Sequence, residues 1–415
     1  MQSAEGALRP LPSDDKLADW LLQPVTPATF AATYWDRQPL HISARGRSYY
    51  DPVFGLSDLD QSLNRLSARP PYVRVVKDGR ELPLHALSGR SAHQISPLEE
   101  VFAHYREGAT IVAQFLHEHD PDLRTFCRAL SQTWSVRMQV NAYMTPGSEK
   151  GLARHYDTHD IFVLQLLGRK AWTLFERMPL SPFSGEQAAQ DQLEHMTPSQ
   201  ELVLEPGDLL YLPRGLVHTA EGLGEGSLHL AVGAHPMRWA QIIQSCLTEH
   251  LSGQAQLRES LPLGYANAPG ASDQLAARFK DVWKDVERAI TPQQLAERAL
   301  DAARGLEAPD LSGHLTDLVA LDQLDHTSKL ILRPGLSVET RCTAEEVSLV
   351  FLDKTVTVPG ALEEPIRTIL SKGAFAVDDL PDPLSRADKL TLCRKLVKEG
   401  LLTMAGPSAP DRAGS

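Results

Sequence analysis

From about residue 135 to residue 236 the sequence is written almost entirely in short apolar or alternating runs, each cut from the next by turn chemistry. The runs are WSVRMQVNAYM, HDIFVLQLLG, RKAWTLFE, QELVLEPGDLLYLPRG and GSLHLAVGAHP. Between them stand Pro146-Gly147, Gly168, Pro206-Gly207-Asp208, Pro213-Arg214-Gly215 and the glycines from Gly222 to Gly226. Glycine admits the backbone conformations that tight turns need, and proline ends a strand because it cannot donate to the ladder. Several short strands at this spacing point to a closed barrel or jelly roll. A plain β-sandwich stays open on strand pattern alone.

Around this stretch the periodicity changes. Upstream, residues 13–30, LSDLDQSLNRL with Ser57 as N-cap, SPLEEVFAHYREG with Ser96 as cap, and residues 122–132 read as helices, while residues 72–86 read as short strands. After Trp239 comes long helical periodicity, RWAQIIQSCLTEHLSGQAQLRESL and DQLAARFKDVWKDVERAITPQQLAERALDAARGL, interrupted by LPLGYANAPGAS. From about Leu321, SKLILRPGL and VSLVFLDKTVTVPG read as strands, the second a hairpin turning near Asp353-Lys354. EEPIRTILSKG and SRADKLTLCRKLVKEGLL read as helices, and two helices with a small β element fit a winged-helix unit. The chain is therefore expected to be mixed α+β: a barrel-bearing domain over 1–239, a helical domain over 240–320, a winged-helix-like unit over 321–405 and a disordered tail over 406–415.

Composition narrows the function. Against 53 acidic residues stand 41 Lys and Arg, a formal net charge of −12, so nucleic acid is not bound through bulk charge. Charges nearly balance over the C-terminal unit, which favours a protein-contact role there over direct nucleic-acid binding. The four cysteines (Cys127, Cys246, Cys342, Cys393) form no CxxC pair, which argues against a thiolate zinc site or disulfide framework and for a reducing compartment. The N-terminus has no signal-peptide pattern and no apolar run approaches the roughly 20 residues that span a bilayer. A cytoplasmic protein without membrane contact is expected. There is no GxSxG, P-loop or GxGxxG, so hydrolase, NTPase and Rossmann readings lack support.

The chemistry concentrates in ARHYDTHDIFVLQ. His155 and Asp157 are two apart and would share one face of a strand. They form the only HxD among 15 histidines. His218, after the Pro-Arg-Gly turn of GDLLYLPRGLVHTA, supplies a third donor from a distant strand. Two histidines and one carboxylate occupy one face of an octahedron and leave three positions open, the requirement of a non-haem Fe(II) oxygenase. Such an enzyme normally consumes 2-oxoglutarate, whose distal carboxylate needs a cation. Lys170, just after Gly168 and beside Ala171 and Trp172, is the candidate, because a cation among apolar neighbours calls for an anion. Arg169 would then point to solvent. Of the remaining histidines, the FLHEHDPD cluster (His117, His119) reads as a solvated loop, His195 as exposed and His235 as structural. His159 shares the face of His155 and Asp157.

VNAYMTPGSEKGLARHYDTHDIFVLQLLGRKAWTLFE followed by LEPGDLLYLPRGLVHTA resembles the Jumonji-C, cupin-like ribosomal oxygenases, particularly their bacterial branch, and TYWDRQPLHI resembles their entry motif. The resemblance covers most of the first 240 residues. It implies a double-stranded β-helix (jelly-roll, cupin-like) catalytic domain, a helical dimerisation domain and a winged-helix C-terminus, hence a homodimer. It implies Fe(II) at His155, Asp157 and His218, with O2 and 2-oxoglutarate as co-reactants. Lys170 would bind the distal carboxylate, with Asn141 and Tyr143 lining the same pocket, and His229 and His159 would be substrate-lining or supporting residues. The implied activity is hydroxylation of an arginine or histidine side chain of a basic ribosomal protein or peptide. Two alternatives stay open: the same chemistry on a peptide natural product or amino acid, and a non-catalytic cupin/winged-helix DNA-binding regulator.

Overall fold

The computed structural model describes residues 11–66, 70–84, 97–147, 149, 151–178, 181–186, 188, 190–306, 311–336, 338–352, 354–382 and 384–404. The expected tail over 406–415, the Ser96 cap and Asp353 of the hairpin turn lie outside the described residues. The chain forms two compact units, residues 1–306 and 307–415.

The first unit opens with α1 (Leu17–Leu22), α2 (Pro27–Thr33), β1 (Leu40–Ile42), α3 (Leu56–Arg65), β2 (Val73–Lys77), β3 (Arg80–Leu82), α4 (Pro97–Arg106), β4 (Thr110–Ala113), α5 (Leu116–His119) and α6 (Pro121–Trp134). The cap of α3 is not Ser57 but Gly55, whose amide is held by the Asp58 carboxylate at 2.8 Å. Nor is FLHEHDPD a solvated loop: it forms α5, and His117 Nδ1 accepts the Val140 amide at 3.3 Å. Then come β5 (Arg137–Pro146), β6 (Asp160–Arg177), α7 (Gln190–Glu194), β7 (Gln200–Leu204), β8 (Leu209–Leu212) and β9 (Leu216–His235). Three helices close the unit: α8 (Trp239–Gly253), α9 (Ala271–Ala289) and α10 (Pro292–Arg304).

The nine strands form one sheet of order β1-β8-β6-β9-β5-β4-β2-β3, with β7 on the far half of β6. All the pairings are antiparallel. Two long strands carry the design. The first half of β6 pairs with β8 and the end of β9; its second half pairs with β7 and the start of β9. The register shifts between Gln165 and Leu167 and between Leu167 and Arg169, around Gly168. Gly168 has φ +64°, and a Cβ there would overlap the Gly226 carbonyl oxygen of β9. Only glycine lets the two strands pass that closely. The bend turns one ribbon into the two walls of a jelly roll.

It also changes which residues face inward. Before the bend Ile161 and Val163 join an interior cluster; after it Trp172 and Leu174 do, so the inward set passes from odd to even numbers. Phe162 and Leu164 face the other way, into the larger core packed by the N-terminal helices, with Leu21, Phe30, Phe126 and Leu130. Lys170 is thereby buried while Arg169 is exposed.

The second unit contains α11 (His314–Val319), β10 (Lys329–Leu332), β11 (Glu339–Cys342), β12 (Glu346–Phe351), β13 (Lys354–Pro359), α12 (Glu363–Ser371), β14 (Ala374–Ala376), α13 (Arg386–Lys398) and β15 (Leu402–Met404). It has two three-stranded sheets, β14-β10-β15 and β11-β12-β13. Leu330, Leu349, Ile369, Leu396 and Val397 centre its core. Arg333 is buried there and satisfied by Asp317 at 2.7 Å and by the Ser312 and Gly400 carbonyls. Among the described residues no helix is long and apolar enough to cross a membrane. The fold is thus mixed α+β on an antiparallel jelly roll.

Candidate active site

His155 lies outside a regular strand. It forms an isolated antiparallel bridge to His218, through His155 N–H to His218 O at 3.2 Å and His218 N–H to His155 O at 2.8 Å. Asp157 sits in the loop before β6, its carbonyl accepting the Gly215 amide at 2.9 Å. The face-sharing expected of a strand is therefore not what joins the pair; pinning of this loop to the start of β9 is. A polar buttress stands behind it. Buried Asp160 accepts from Tyr211 Oη at 2.7 Å, and Arg214 binds Asp36 at 2.6 Å, tying the Pro-Arg-Gly turn to the N-terminal segment.

The side chains converge. His155 Nδ1 meets the Ala153 carbonyl at 2.7 Å and His218 Nδ1 the Leu216 carbonyl at 3.0 Å. A carbonyl can only accept, so both Nδ1 atoms carry the hydrogen and both Nε2 lone pairs are free, the orientation that such carbonyl hydrogen bonds impose on metal-binding histidines. Asp157 Oδ2 lies 3.9 Å from His155 Nε2 and 3.6 Å from His218 Nε2. One donor atom from each of the three residues falls within 4.8 Å of the others, and they are the one such cluster among the described residues. Asp157 Oδ2 is shut off from solvent and accepts no hydrogen bond. Burial opposes ionisation of Asp157, yet His155 and His218 hold its carboxyl below the ordinary range. Burial, with His155 alongside, pulls His218 down to about 4, which keeps it neutral and able to donate a lone pair. An unsatisfied carboxylate oxygen facing two free imidazole nitrogens fits a divalent cation of the iron type.

The triad heads a cleft of about 520 Å³, its open mouth included, walled by Ile161, Val163, Trp172, Leu212 and Ala231. Lys170 lines the same cleft, donating to Thr145 Oγ1 at 2.9 Å. Tyr143 and His229 line the same wall with rings stacked at 5.0 Å and 2°. His229 Nδ1 and Trp172 Nε1 are buried with no hydrogen-bond partner, so the cleft carries polar groups that its own walls do not satisfy.

Asn141 is on the same face of β5 as Tyr143 but does not line the cleft, since its Oδ1 accepts the Phe115 amide at 3.0 Å. His159 is likewise outside the lining and stacks on His235 at 4.3 Å. Sequence reasoning missed Trp172, Thr110 and Thr145. Thr145 had a usable signal, standing two residues after Tyr143 on one strand face; Thr110 had none.

Comparison with known proteins identifies the domain and the fold. Residues 114–242 match the JmjC domain. Rat ribosomal oxygenase 1 is 31% identical over 304 residues, covering 71% of this chain and 49% of the rat protein. The bifunctional lysine-specific demethylase and histidyl-hydroxylase NO66 of Drosophila willistoni is 28% identical over 309 residues, covering 69% and 39%. This chain thus spans less than half the length of these curated relatives. Among solved structures, Escherichia coli YcfD superposes with a TM-score of 0.51 at 17% identity, covering 92% of this chain and 98% of that one. The ribosomal oxygenase YcfD in complex with cobalt and 2-oxoglutarate gives 0.50 at 16%, covering 92% and 99%. At such identities the likeness establishes the jelly-roll fold. Residues 114–242 are a JmjC domain, and the chain is a relative of the JmjC ribosomal oxygenases.

Proposed function

We propose that this protein is an Fe(II)- and 2-oxoglutarate-dependent oxygenase that hydroxylates an arginine or histidine side chain of a basic ribosomal protein. The observation that carries the reading is Asp157 Oδ2, buried without a partner opposite two histidines whose Nε2 atoms are free. His155, Asp157 and His218 would hold the iron, which with 2-oxoglutarate and O2 supplies the oxidising power for an unactivated C–H bond. The chain's own residues bind and orient. Lys170 neutralises the distal carboxylate of 2-oxoglutarate and Tyr143 flanks it, in a cleft whose apolar wall of Ile161, Val163 and Leu212 keeps water out. Asn141 contributes indirectly, holding the Phe115 turn beside β5.

A groove supports the basic substrate. It shares Gly151, Leu152 and Ala220 with the cleft and carries Asp78, Glu194, Glu201 and Glu221 against a single cation, Arg154. None of these four is ion-paired with a described residue. Such a negative lane beside the reacting centre favours a Lys/Arg-rich chain. The helices α8–α10 are the proposed dimer surface: Phe279 and Trp283 of α9 are each 59% exposed, and Leu263 nearby is fully exposed. The second unit, with α12 and α13 beside two small sheets, is proposed as the winged-helix element, and the protein as cytoplasmic. Mass spectrometry of ribosomal proteins from cells with and without this gene tests the function. A gain of about 16 Da on one Arg or His, present only with the gene, is expected for hydroxylation; identical masses would refute it.

A further inference from the structure

Lys170 is a buried amine with no counter-ion among the described residues. The residue is 2% exposed, and its Nζ makes one hydrogen bond, to Thr145 Oγ1, which also accepts from Thr110 Oγ1 at 3.1 Å. Among the described residues, the elements packed around it offer no negative charge. From β5 come Tyr143 and Thr145, from β4 Thr110, and from β9 His229. On β7 its backbone partner is Leu204. Glu221, paired with Ala171, lines the neighbouring groove rather than the cleft. Among the described residues no carboxylate is ion-paired with Lys170.

Holding an uncompensated ammonium away from water costs several kcal/mol, and a lysine so placed sheds its proton instead. Burial accordingly draws Lys170 down to about 7. Its titratable neighbours do not change that balance. Burial pushes Tyr143 up to about 12, so it keeps its proton, and burial followed by Lys170 itself holds His229 well below its ordinary value, so it stays neutral.

We propose that above neutral pH the Lys170 amine stands uncharged in the ligand-free cleft, and that a carboxylate seated against it is taken up together with one proton from solvent. The inference rests on the reading of Lys170 as the 2-oxoglutarate anchor. The step balances simply: R–NH2 and H⁺ give R–NH3⁺ beside the carboxylate, the proton comes from buffer, and no bond to carbon changes. The cleft thus avoids storing a bare positive charge and creates it only when the anion arrives.

Calorimetry of the full chain loaded with Mn(II), titrated with 2-oxoglutarate in buffers of different ionisation enthalpy, counts that proton. About one proton per site is expected near pH 8.5 and about a tenth near pH 6, with affinity falling about tenfold per pH unit above 7. Lys170→Arg, charged at every pH, should bind with no uptake. A second measurement needs no variant to bind: in protein labelled at lysine ¹³Cε, the Lys170 resonance of the free chain should titrate near neutrality. Full-strength binding without buffer dependence, a free-chain midpoint above about 9, or undiminished uptake in Lys170→Arg would each overturn the proton linkage while leaving the anchor in place. Absence of any 2-oxoglutarate binding would overturn the anchor, and this inference with it.

Discussion

Gly168→Ala tests whether the bend in β6 builds the site. At φ +64° an alanine carries the left-handed penalty of about 1–2 kcal/mol. Its Cβ would also overlap the Gly226 carbonyl oxygen and press on Ser227 Cα at 3.2 Å. Neither neighbour is a flexible side chain, so β9 must move from β6 where the ladder passes from Leu167–Leu228 to Arg169–Leu223. Losing one or two ladder hydrogen bonds adds roughly 1–3 kcal/mol. The total, about 2–5 kcal/mol, corresponds to a Tm lower by roughly 3–8 °C for a unit of this size. The displacement falls two residues from Lys170, whereas Asp157 and His155 lie 11 and 13 residues away. Thermal unfolding by circular dichroism should show the drop, and calorimetry should show 2-oxoglutarate affinity reduced by at least about tenfold, some 1.4 kcal/mol, with Mn(II) affinity nearly unchanged. Wild-type Tm together with wild-type 2-oxoglutarate affinity would refute the argument that glycine is required here.

Four further outcomes are expected. His155→Ala and His218→Ala should each lose metal binding while keeping the wild-type far-UV spectrum, because two donors cannot define the open face; metal analysis of the purified variants checks this. Lys170→Ala should raise the 2-oxoglutarate KM by roughly two to three and a half decades at neutral pH, from the 3–5 kcal/mol typical of breaking a buried ion pair, whereas Arg169→Ala, at an exposed position, should change it little. The sign on stability is opposite. Because burial lowers Lys170 to about 7 in the fold, its penalty is full below pH 7 and fades as pH rises towards 10.5, so Lys170→Met should raise Tm most at or below neutral pH and progressively less above it. Finally, Glu201→Lys with Glu221→Lys should weaken KM for a basic protein substrate several-fold and flatten its salt dependence, without altering 2-oxoglutarate affinity.

How much was legible beforehand differs from residue to residue. The strands of the jelly roll were readable because Pro146-Gly147, Pro206-Gly207 and Pro213-Arg214-Gly215 punctuate runs whose apolar content has no other use. His155, Asp157 and His218 were readable as types at a spacing, although the reason given for their convergence, a shared strand face, was not the one the chain uses. The burial of Lys170 rather than Arg169 was reached from its apolar neighbours, but simple alternation from Ile161 and Val163 would have sent Arg169 inward. The register shifts at Gly168 change that parity, and a shift is set by a partner strand that local sequence does not display. Asn141 illustrates the reverse. Its position beside Tyr143 is correct for the cleft, yet a non-local amide, that of Phe115, takes its side-chain oxygen. The Ser57 cap failed for a similar reason, since the Asp58 carboxylate reaches back to Gly55 and starts the helix earlier.

The most direct test of the central claim is reconstitution under ¹⁸O2. Purified protein, Fe(II), 2-oxoglutarate and a basic ribosomal protein fraction are incubated, digested and analysed by tandem mass spectrometry. The account predicts one Arg or His peptide heavier by about 18 Da, one atom taken from labelled O2, with succinate formed alongside and both signals absent in His218→Ala. Unmodified peptides from the wild-type protein despite bound iron and 2-oxoglutarate, or an oxygen that arrives unlabelled and survives in His218→Ala, would contradict it.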